Sequence, residues 1–360
     1  MKILLLSAYD AASHIYWRKG LVEQFPEHEW QVLTLPPRYF SWRIRGNSLS
    51  WALGEKAVLQ QPYDLIVATS MTDLSALKGL VPALSQIPTV LYFHENQFAY
   101  PESGREYGSV EPKILNLYSA LAADKVLFNT GYNRDTFLEG CRKLLKKLPD
   151  QVPPGIVDML AGRSVVLPVP LPDSVFCLHQ SEPGPLQVVW NHRWEFDKGP
   201  ELLYAAMAAL AANNVPVKFH IVGQQFRHSP PVFEKIKAEF SALIGHQGFV
   251  ESTEAYRVLL QQSDVVLSTA LHDFQGIAVL EAVAAGALPL VPDRLAYPEL
   301  FPEGSCYNAG ADETPDLVRR LTGLVVLKAQ QNLPVAPCVK HLTWSRLRPA
   351  YAEVFSTLRS

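Results

Sequence analysis

Short runs that are apolar on both faces recur along this chain. In the first half they are Ile3–Leu6, Leu65–Ala68, Thr89–Phe93, Lys125–Phe128 and Val165–Leu167; in the second they are Gln187–Trp190, Val217–Val222, Val265–Ser268 and Leu288–Val291. Longer stretches with helical spacing separate them, such as Leu202–Ala212 and Ala278–Ala285. A strand with no polar face must be covered from both sides. The pattern therefore predicts an α/β fold of parallel sheets sandwiched by helices, arranged as two doubly wound domains. The division falls in Val165–Pro185, where Pro168, Pro170, Pro172, Pro183 and Pro185 hold the backbone extended. Expected domains are residues 1–172 and 173–338. A terminal segment, 339–360, contains the amphipathic stretch Leu342–Leu358, expected to be a helix packing back on the first domain.

Composition narrows the picture little. The 360 residues are 48% hydrophobic and 19% charged, which excludes disordered, collagen-like and disulfide-scaffold classes. A formal charge of −3 gives no global attraction to nucleic acid, so any such contact needs a local patch. Cys141, Cys177, Cys306 and Cys338 lie far apart with no metal-ligand spacing and read as reduced thiols of a cytoplasmic protein. The run Met1–Ser7 is too short for a signal peptide and reaches Asp10 without a cleavage site, so it is expected to be a buried strand. Nowhere do about 18 apolar residues stand in a row, so no membrane span is expected. The segment Ser7–His14 after the first strand holds neither GxGxxG nor a Walker lysine motif, which disfavours dinucleotide and ATPase sites.

Ligands of open α/β sheets sit beyond the carboxyl ends of the strands, so the residues just past each strand sample the site. Ser13 and His14 come after the first strand; His94, Glu95, Asn96 and Gln97 after Thr89–Phe93; Asn129, Thr130, Asn133 and Arg134 after Lys125–Phe128. In the second half Asn191, His192 and Arg193 precede Asp197-Lys198-Gly199, and Thr269 leads to His272, Asp273, Phe274, Gln275, Gly276 and Ile277, with Glu281 a helix turn beyond. Both domains aim polar groups at the same kind of edge, which implies a ligand between them. Arg193 and Lys198 suit a diphosphate, Gly276 allows close backbone approach, and Glu281 can accept hydrogen bonds from a ribose diol. Taken singly, each has a plainer reading: an exposed ion pair around Glu195 and Asp197, a structural histidine, a surface carboxylate. Their recurrence at corresponding strand ends favours a site.

These segments resemble the retaining glycosyltransferases of family four, which have the GT-B fold of two Rossmann-like domains facing a central cleft. Trp190–Pro200 is similar to that family's phosphate-contacting segment, and Asp273 and Glu281 stand where it has a Glu-x7-Glu motif. His94 matches its sugar-side histidine, and Thr343-Trp344 the start of its closing helix. Ser13-His14, His94–Gln97 with Tyr100-Pro101, Phe128-Asn129 with Tyr132–Arg134, Trp190–Glu195 and Tyr297–Glu299 are similar to the tRNA-queuosine mannosyltransferases. Asp273 in place of Glu, Gln275 in place of an aromatic residue, and Ala11-Ala12 in place of a glycine pair depart from the pattern.

The resemblance implies transfer of mannose from GDP-mannose to queuosine at the wobble position of a tRNA of the tRNA-Asp type. His94, Arg193 and Lys198 are then the catalytic residues, and Asp273, Phe274, Gln275, Gly276, Ile277 and Glu281 the donor-binding ones. Ser13, His14, Glu95, Asn96, Gln97, Asn133 and Arg134 lie on the acceptor side. It implies no metal and no cofactor beyond the nucleotide sugar. For the anticodon stem-loop the chain offers two basic stretches. Arg38, Trp42, Arg43 and Arg45 interleave with Tyr39 and Phe40, which suits phosphates with splayed bases. Arg142, Lys143, Lys146 and Lys147 make a cationic helical face, equally readable as a solvated one. A lipid or polysaccharide acceptor, and a non-catalytic RNA- or nucleotide-sugar-binding protein, are the alternatives.

Overall fold

Among the described residues, twelve parallel strands in two sheets carry the chain. The computed structural model describes residues 1–100, 110–226 and 229–358, so Pro101 of the quoted motifs lies outside the described residues. Two compact units result: Met1–Pro170 with Trp344–Ser360, and Leu171–Thr343, against expected edges at 172 and 338.

The first unit holds β1 (Lys2–Ser7), β2 (Glu29–Thr34), β3 (Leu65–Thr69), β4 (Thr89–Phe93), β5 (Lys125–Phe128) and β6 (Ser164–Val166), in the order β2-β1-β3-β4-β5-β6. The second holds β7 (Leu186–Trp190), β8 (Val217–Val222), β9 (Ile244–Gly248), β10 (Val265–Leu267), β11 (Leu288–Pro292) and β12 (Cys306–Tyr307), in the order β12-β11-β10-β7-β8-β9. Every residue of β3, β4, β10 and β11 is buried, as a parallel strand covered on both faces requires. The three strands that the apolar pattern does not predict, β2, β9 and β12, are all sheet edges. Along β2 no residue is fully buried, so Glu29-Trp30-Gln31-Val32-Leu33-Thr34 alternates instead of running apolar.

In the first sheet the winding reverses between β1 and β3, in the second between β7 and β10. At such a reversal the connections leave in opposite directions and open a crevice at the carboxyl edge. The second sheet's reversal lies at the ends of the strands that lead into Asn191–Lys198 and Thr269–Gly276. The helix Trp344–Thr357 belongs to the first unit: the Trp17 indole donates to the Tyr351 hydroxyl at 3.0 Å, and Phe355 packs edge-on to Phe25 at 5.4 Å.

Candidate active site

After β7 the chain passes through Asn191–Glu195 into a tight turn at Phe196–Lys198, then the left-handed Gly199, before the helix Pro200–Ala212. Gly199 has φ +63°, and a Cβ there would lie 2.0 Å from the Thr269 carbonyl oxygen, so the two loops meet backbone to backbone. Further bonds fuse them. The Asp197 carbonyl accepts from the Leu271 and His272 N–H groups at 2.8 and 3.1 Å. The Thr269 hydroxyl donates to the Lys198 carbonyl at 2.7 Å and accepts from the Trp190 indole at 2.8 Å. Lys198 and the segment after β10 therefore form one fixed constellation.

The Lys198 ammonium, 7% exposed, donates to the His272 carbonyl at 2.6 Å. It lies 3.3 Å from an Asp197 carboxylate oxygen and 3.8 Å from one of Asp273. Asp273 also accepts from the Gly276 N–H at 2.9 Å and from the Tyr297 hydroxyl at 3.3 Å. Gly276 is left-handed and opens the helix Ile277–Ala284. Phe274 and Gln275 are buried, with Phe274 edge-on to the His272 ring at 4.7 Å. Glu281, half-buried, faces Tyr256: burial first and then this carboxylate raise the phenol. The Tyr256 hydroxyl accepts from Asn191, whose amide also donates to the Ala278 carbonyl at 2.7 Å.

The two cations come already paired. The Arg193 guanidinium sits 3.0 Å from Glu195, and Lys198 has its two aspartates. His192 and His272 are each held at about 4, by burial first and then by Lys198, with Arg193 adding to both. Both imidazoles are thus neutral at neutral pH, and Arg193 and Lys198 act on the same two rings. Burial alone would raise the Asp273 carboxyl, yet Lys198, His192 and the Gly276 N–H hold it below the usual carboxylate range. His192 Nε2, Asn191 Oδ1 and Asp197 Oδ2 are buried without a hydrogen-bond partner among the described residues; the Lys198–Asp197 contact is an ion pair without hydrogen-bond geometry. Orphaned polar atoms beside two cations and a helix N-terminus suit an anionic, polyhydroxylated ligand.

In the first unit His94 stands at the carboxyl end of β4. Its ring centre lies 4.2 Å from that of His14, 4.7 Å from Tyr92 and 5.0 Å from Trp17. Both nitrogens of His94 and Nε2 of His14 lack a hydrogen-bond partner among the described residues, while His14 Nδ1 is 3.5 Å from the half-buried Ser13 hydroxyl. Burial lowers both histidines, His94 further through His14, whereas Glu95 and Asp10 oppose the shift in His14.

The asparagines behave otherwise than expected. Asn96 and Asn133 are 0% exposed. The Asn96 amide donates to Asn133 and Thr136, and its carbonyl accepts from the Phe98 and Ala99 N–H groups. Asn133 donates to the Phe93 carbonyl and to Asn129, which donates to the His94 carbonyl. Their polar atoms face protein, so on this geometry they fix the His94 loop instead of meeting an acceptor. Gln97 is half-buried with its amide 3.7 Å from the Met71 sulfur, and Arg134 pairs with Asp135 at 2.8 Å.

Comparison with known proteins matches residues 2–171 to the family model described as tRNA-queuosine alpha-mannosyltransferase N-terminal, and 179–321 to that of glycosyl transferases group 1. The tRNA-queuosine alpha-mannosyltransferase of Drosophila melanogaster is 30% identical over 316 residues, covering 85% of this chain and 83% of that protein. The chain belongs to the tRNA-queuosine alpha-mannosyltransferase family. It is a glycosyltransferase. A GDP-mannose-dependent alpha-(1-6)-phosphatidylinositol dimannoside mannosyltransferase of Mycobacterium tuberculosis is 24% identical over 290 residues, 76% of this chain and 68% of that one. Sucrose-phosphate synthase from Thermosynechococcus elongatus superposes with TM-score 0.72 at 13% identity, over 99% of this chain and 98% of that one. Anabaena HepE in complex with UDP does so with TM-score 0.70 at 13% identity, over 99% of each. These two show the fold alone, and it is GT-B.

In this member of the tRNA-queuosine alpha-mannosyltransferase family the basic stretches are partly engaged within the protein. Arg45 bridges Asp73 at 2.8 Å and Glu111 at 3.2 Å, which makes it a strut of the helix Phe40–Gly54. Phe40 is half-buried against Tyr9, so the exposed aromatics are Tyr39 and Trp42. Arg38 is exposed, its guanidinium over the Tyr39 ring at 5.6 Å, and Arg43 is half-buried. On the helix Gly131–Lys147, Arg142 and Lys143 share Glu139, whereas Lys146 and Lys147 are exposed in its last turn.

Sequence spacing assigns no role to His192, Asp197, His272 and Tyr297, which the structure gathers around Lys198. Position beyond strand ends does mark His192, Asp197 and His272, and the resemblance includes Tyr297, but neither says that they pack around Lys198. A cavity of about 730 Å³ opens at the opposite, amino edge of the second sheet, lined by Asp264, Lys328, His179 and Val335 among others. It contains none of the expected site residues. No helix among the described residues is long and apolar enough to cross a membrane, and no group of three or more His, Cys, Asp or Glu there could hold a metal ion.

Proposed function

We propose that this glycosyltransferase moves mannose from GDP-mannose to queuosine in the tRNA anticodon loop, with retention at the anomeric carbon. The observation that carries the reading is the coincidence of two things in one chain. The first unit is the part that matches the queuosine-specific family model, and the second holds the Arg193–Lys198 constellation at its sheet reversal. The Mycobacterium relative, GDP-mannose-dependent by name, supports the choice of donor.

In this reading Arg193 and Lys198 meet the diphosphate, Gly276 lets it approach the backbone where the Ile277 N–H adds a donor, and Glu281 takes the ribose. The bond from the anomeric carbon to the phosphate oxygen breaks as the acceptor hydroxyl attacks from the same face. The departing phosphate oxygen takes the hydroxyl proton. Charge growing on GDP is stabilised by the two cations, so the step draws on no metal and no further cofactor. His94 orients the sugar. A tRNA substrate puts the enzyme in the cytoplasm.

The test is incubation with GDP-mannose and bulk tRNA, followed by mass analysis of the nucleosides. Queuosine should gain one hexose. UDP-sugars in place of GDP-mannose, and tRNA lacking queuosine, should give no product; a hexose transferred from UDP-sugars, or onto queuosine-free tRNA, overturns the donor or the acceptor assignment respectively.

A further inference from the structure

The helix Phe40–Gly54 buries Ile44, Asn47, Ser48, Trp51 and Ala52. Its opposite face is not polar. Tyr39, Trp42, Leu49 and Leu53 recur at three- and four-residue intervals there and are 73%, 55%, 44% and 75% exposed. Gly46 completes the stripe, and it is buried. What covers it is the Trp42 indole: a Cβ on Gly46 would lie 2.3, 2.6 and 2.7 Å from three ring atoms, Cε2, Cζ2 and Cδ2. Three such similar distances put the glycine under the face of the ring, not at its edge. The indole is therefore seated flat on the helix, with its other face turned to solvent. Glycine in a helix interior is destabilising, and here it is what lets the ring lie down.

We propose that Trp42 is a stacking platform for one unstacked nucleobase of the acceptor RNA, oriented by Gly46; this rests on the RNA-acceptor reading above. A base needs a rigid π-face, and stacking of that kind tolerates any base. The flanking charges fit a polyanion. Arg38 and Tyr39 lie just before the helix, Arg43 comes after Trp42, and the helix carries no Asp or Glu. The same composition disfavours the other occupant of such a stripe, the matching helix of a second copy, because pairing it with itself would bring like charges together. Arg45, engaged by Asp73 and Glu111, holds the helix in place beside the platform.

Three variants test this with queuosine-containing tRNA under steady-state conditions. Trp42→Ala should raise KM for tRNA about 10- to 100-fold, the range of one lost base stack, with kcat at saturating tRNA little changed. Gly46→Ala keeps the indole but tips it off the helix, and should raise the same KM by a comparable factor. Trp42→Phe should recover most of the affinity. Thermal melting of each variant separates a folding defect from a binding one. If wild-type protein transfers nothing to tRNA, the acceptor reading fails. If wild type transfers and both Trp42→Ala and Gly46→Ala keep its KM, only the platform is overturned. A KM defect that tracks loss of a dimer in sedimentation assigns the stripe to self-association and overturns the platform as well.

Discussion

Replacing Lys198 by alanine removes the side chain that joins His272, Asp197 and Asp273. It has two consequences, and they separate. For stability, the Asp197 and Asp273 side chains are 3% and 18% exposed, so both would be left in a poorly solvated place without the ammonium. Breaking such a buried pair costs about 3–5 kcal/mol. Asp273 retains the Gly276 N–H and the Tyr297 hydroxyl, which argues for the lower end, about 3 kcal/mol at neutral pH. The sign of its pH dependence is fixed. Burial pushes the Asp273 carboxyl up and Lys198 pulls it below its ordinary value. In the wild type this carboxylate stabilises the fold above its unfolded pKa, and that contribution is lost as pH falls through the lower folded one. Without Lys198 the carboxyl moves up, so the deficit of the variant is largest near neutrality and shrinks on acidification. For catalysis, losing one donor to growing charge lowers turnover by about 100-fold or more. Urea unfolding at pH 7 and pH 5, beside kcat with saturating GDP-mannose and tRNA, reads both. Lys198→Met, which keeps the aliphatic stem, controls for packing. A variant that is destabilised but turns over within a few-fold of wild type would make Lys198 a strut and refute its part in the reaction.

Gly199→Ala should destabilise by more than about 2 kcal/mol, because a left-handed alanine is strained and its Cβ would meet the Thr269 carbonyl at 2.0 Å; a melting temperature equal to wild type would show that the loops do not touch as described. His192 and His272 are neutral when folded and held at about 4. Their unfolded forms take up protons from about pH 6.5 downward, so stability is full above about 6.5 and declines towards pH 4, by up to about 3 kcal/mol for each residue. Urea midpoints across that window should fall in the wild type and flatten in His192→Gln; equal slopes would contradict the burial of this ring. His94→Phe preserves the ring contact with His14 and deletes both nitrogens, so it should lower kcat about 10- to 100-fold if one hydrogen bond to the sugar is lost, as product formation at saturating substrates will show.

The central strands were legible because burial on both faces leaves an apolar run with no polar interruption. β3, β4, β10 and β11 stand out in this way. β2 and β9 do not, because these edge strands are partly solvated and carry polar residues; β12 is buried but only two residues long, too short to leave a pattern. The candidate site was legible to the same depth. Strand ends are recognisable, so Arg193, Lys198, Asp273 and His94 are conspicuous, and the resemblance adds roles. What the linear order hides is pairing between segments distant in sequence. Asn96 and Asn133 look like ligand-facing amides after two different strands, yet 37 residues apart they bond to each other. Arg45 reads as an exposed cation until Asp73 and Glu111 arrive from distant segments. The same holds for the clamp itself. Arg193 and Lys198 bring two positive charges, but Glu195, Asp197 and Asp273 surround them with three negative ones. A ground-state diphosphate must therefore compete with carboxylates already in place. On the proposed mechanism its advantage grows as the sugar departs and the charge on the leaving phosphate rises, when a stronger anion can draw the ammonium from Asp273, 3.8 Å away. Interactions that strengthen towards the transition state raise kcat, whereas those made equally well beforehand only tighten binding; a pre-paired clamp is biased towards the first kind.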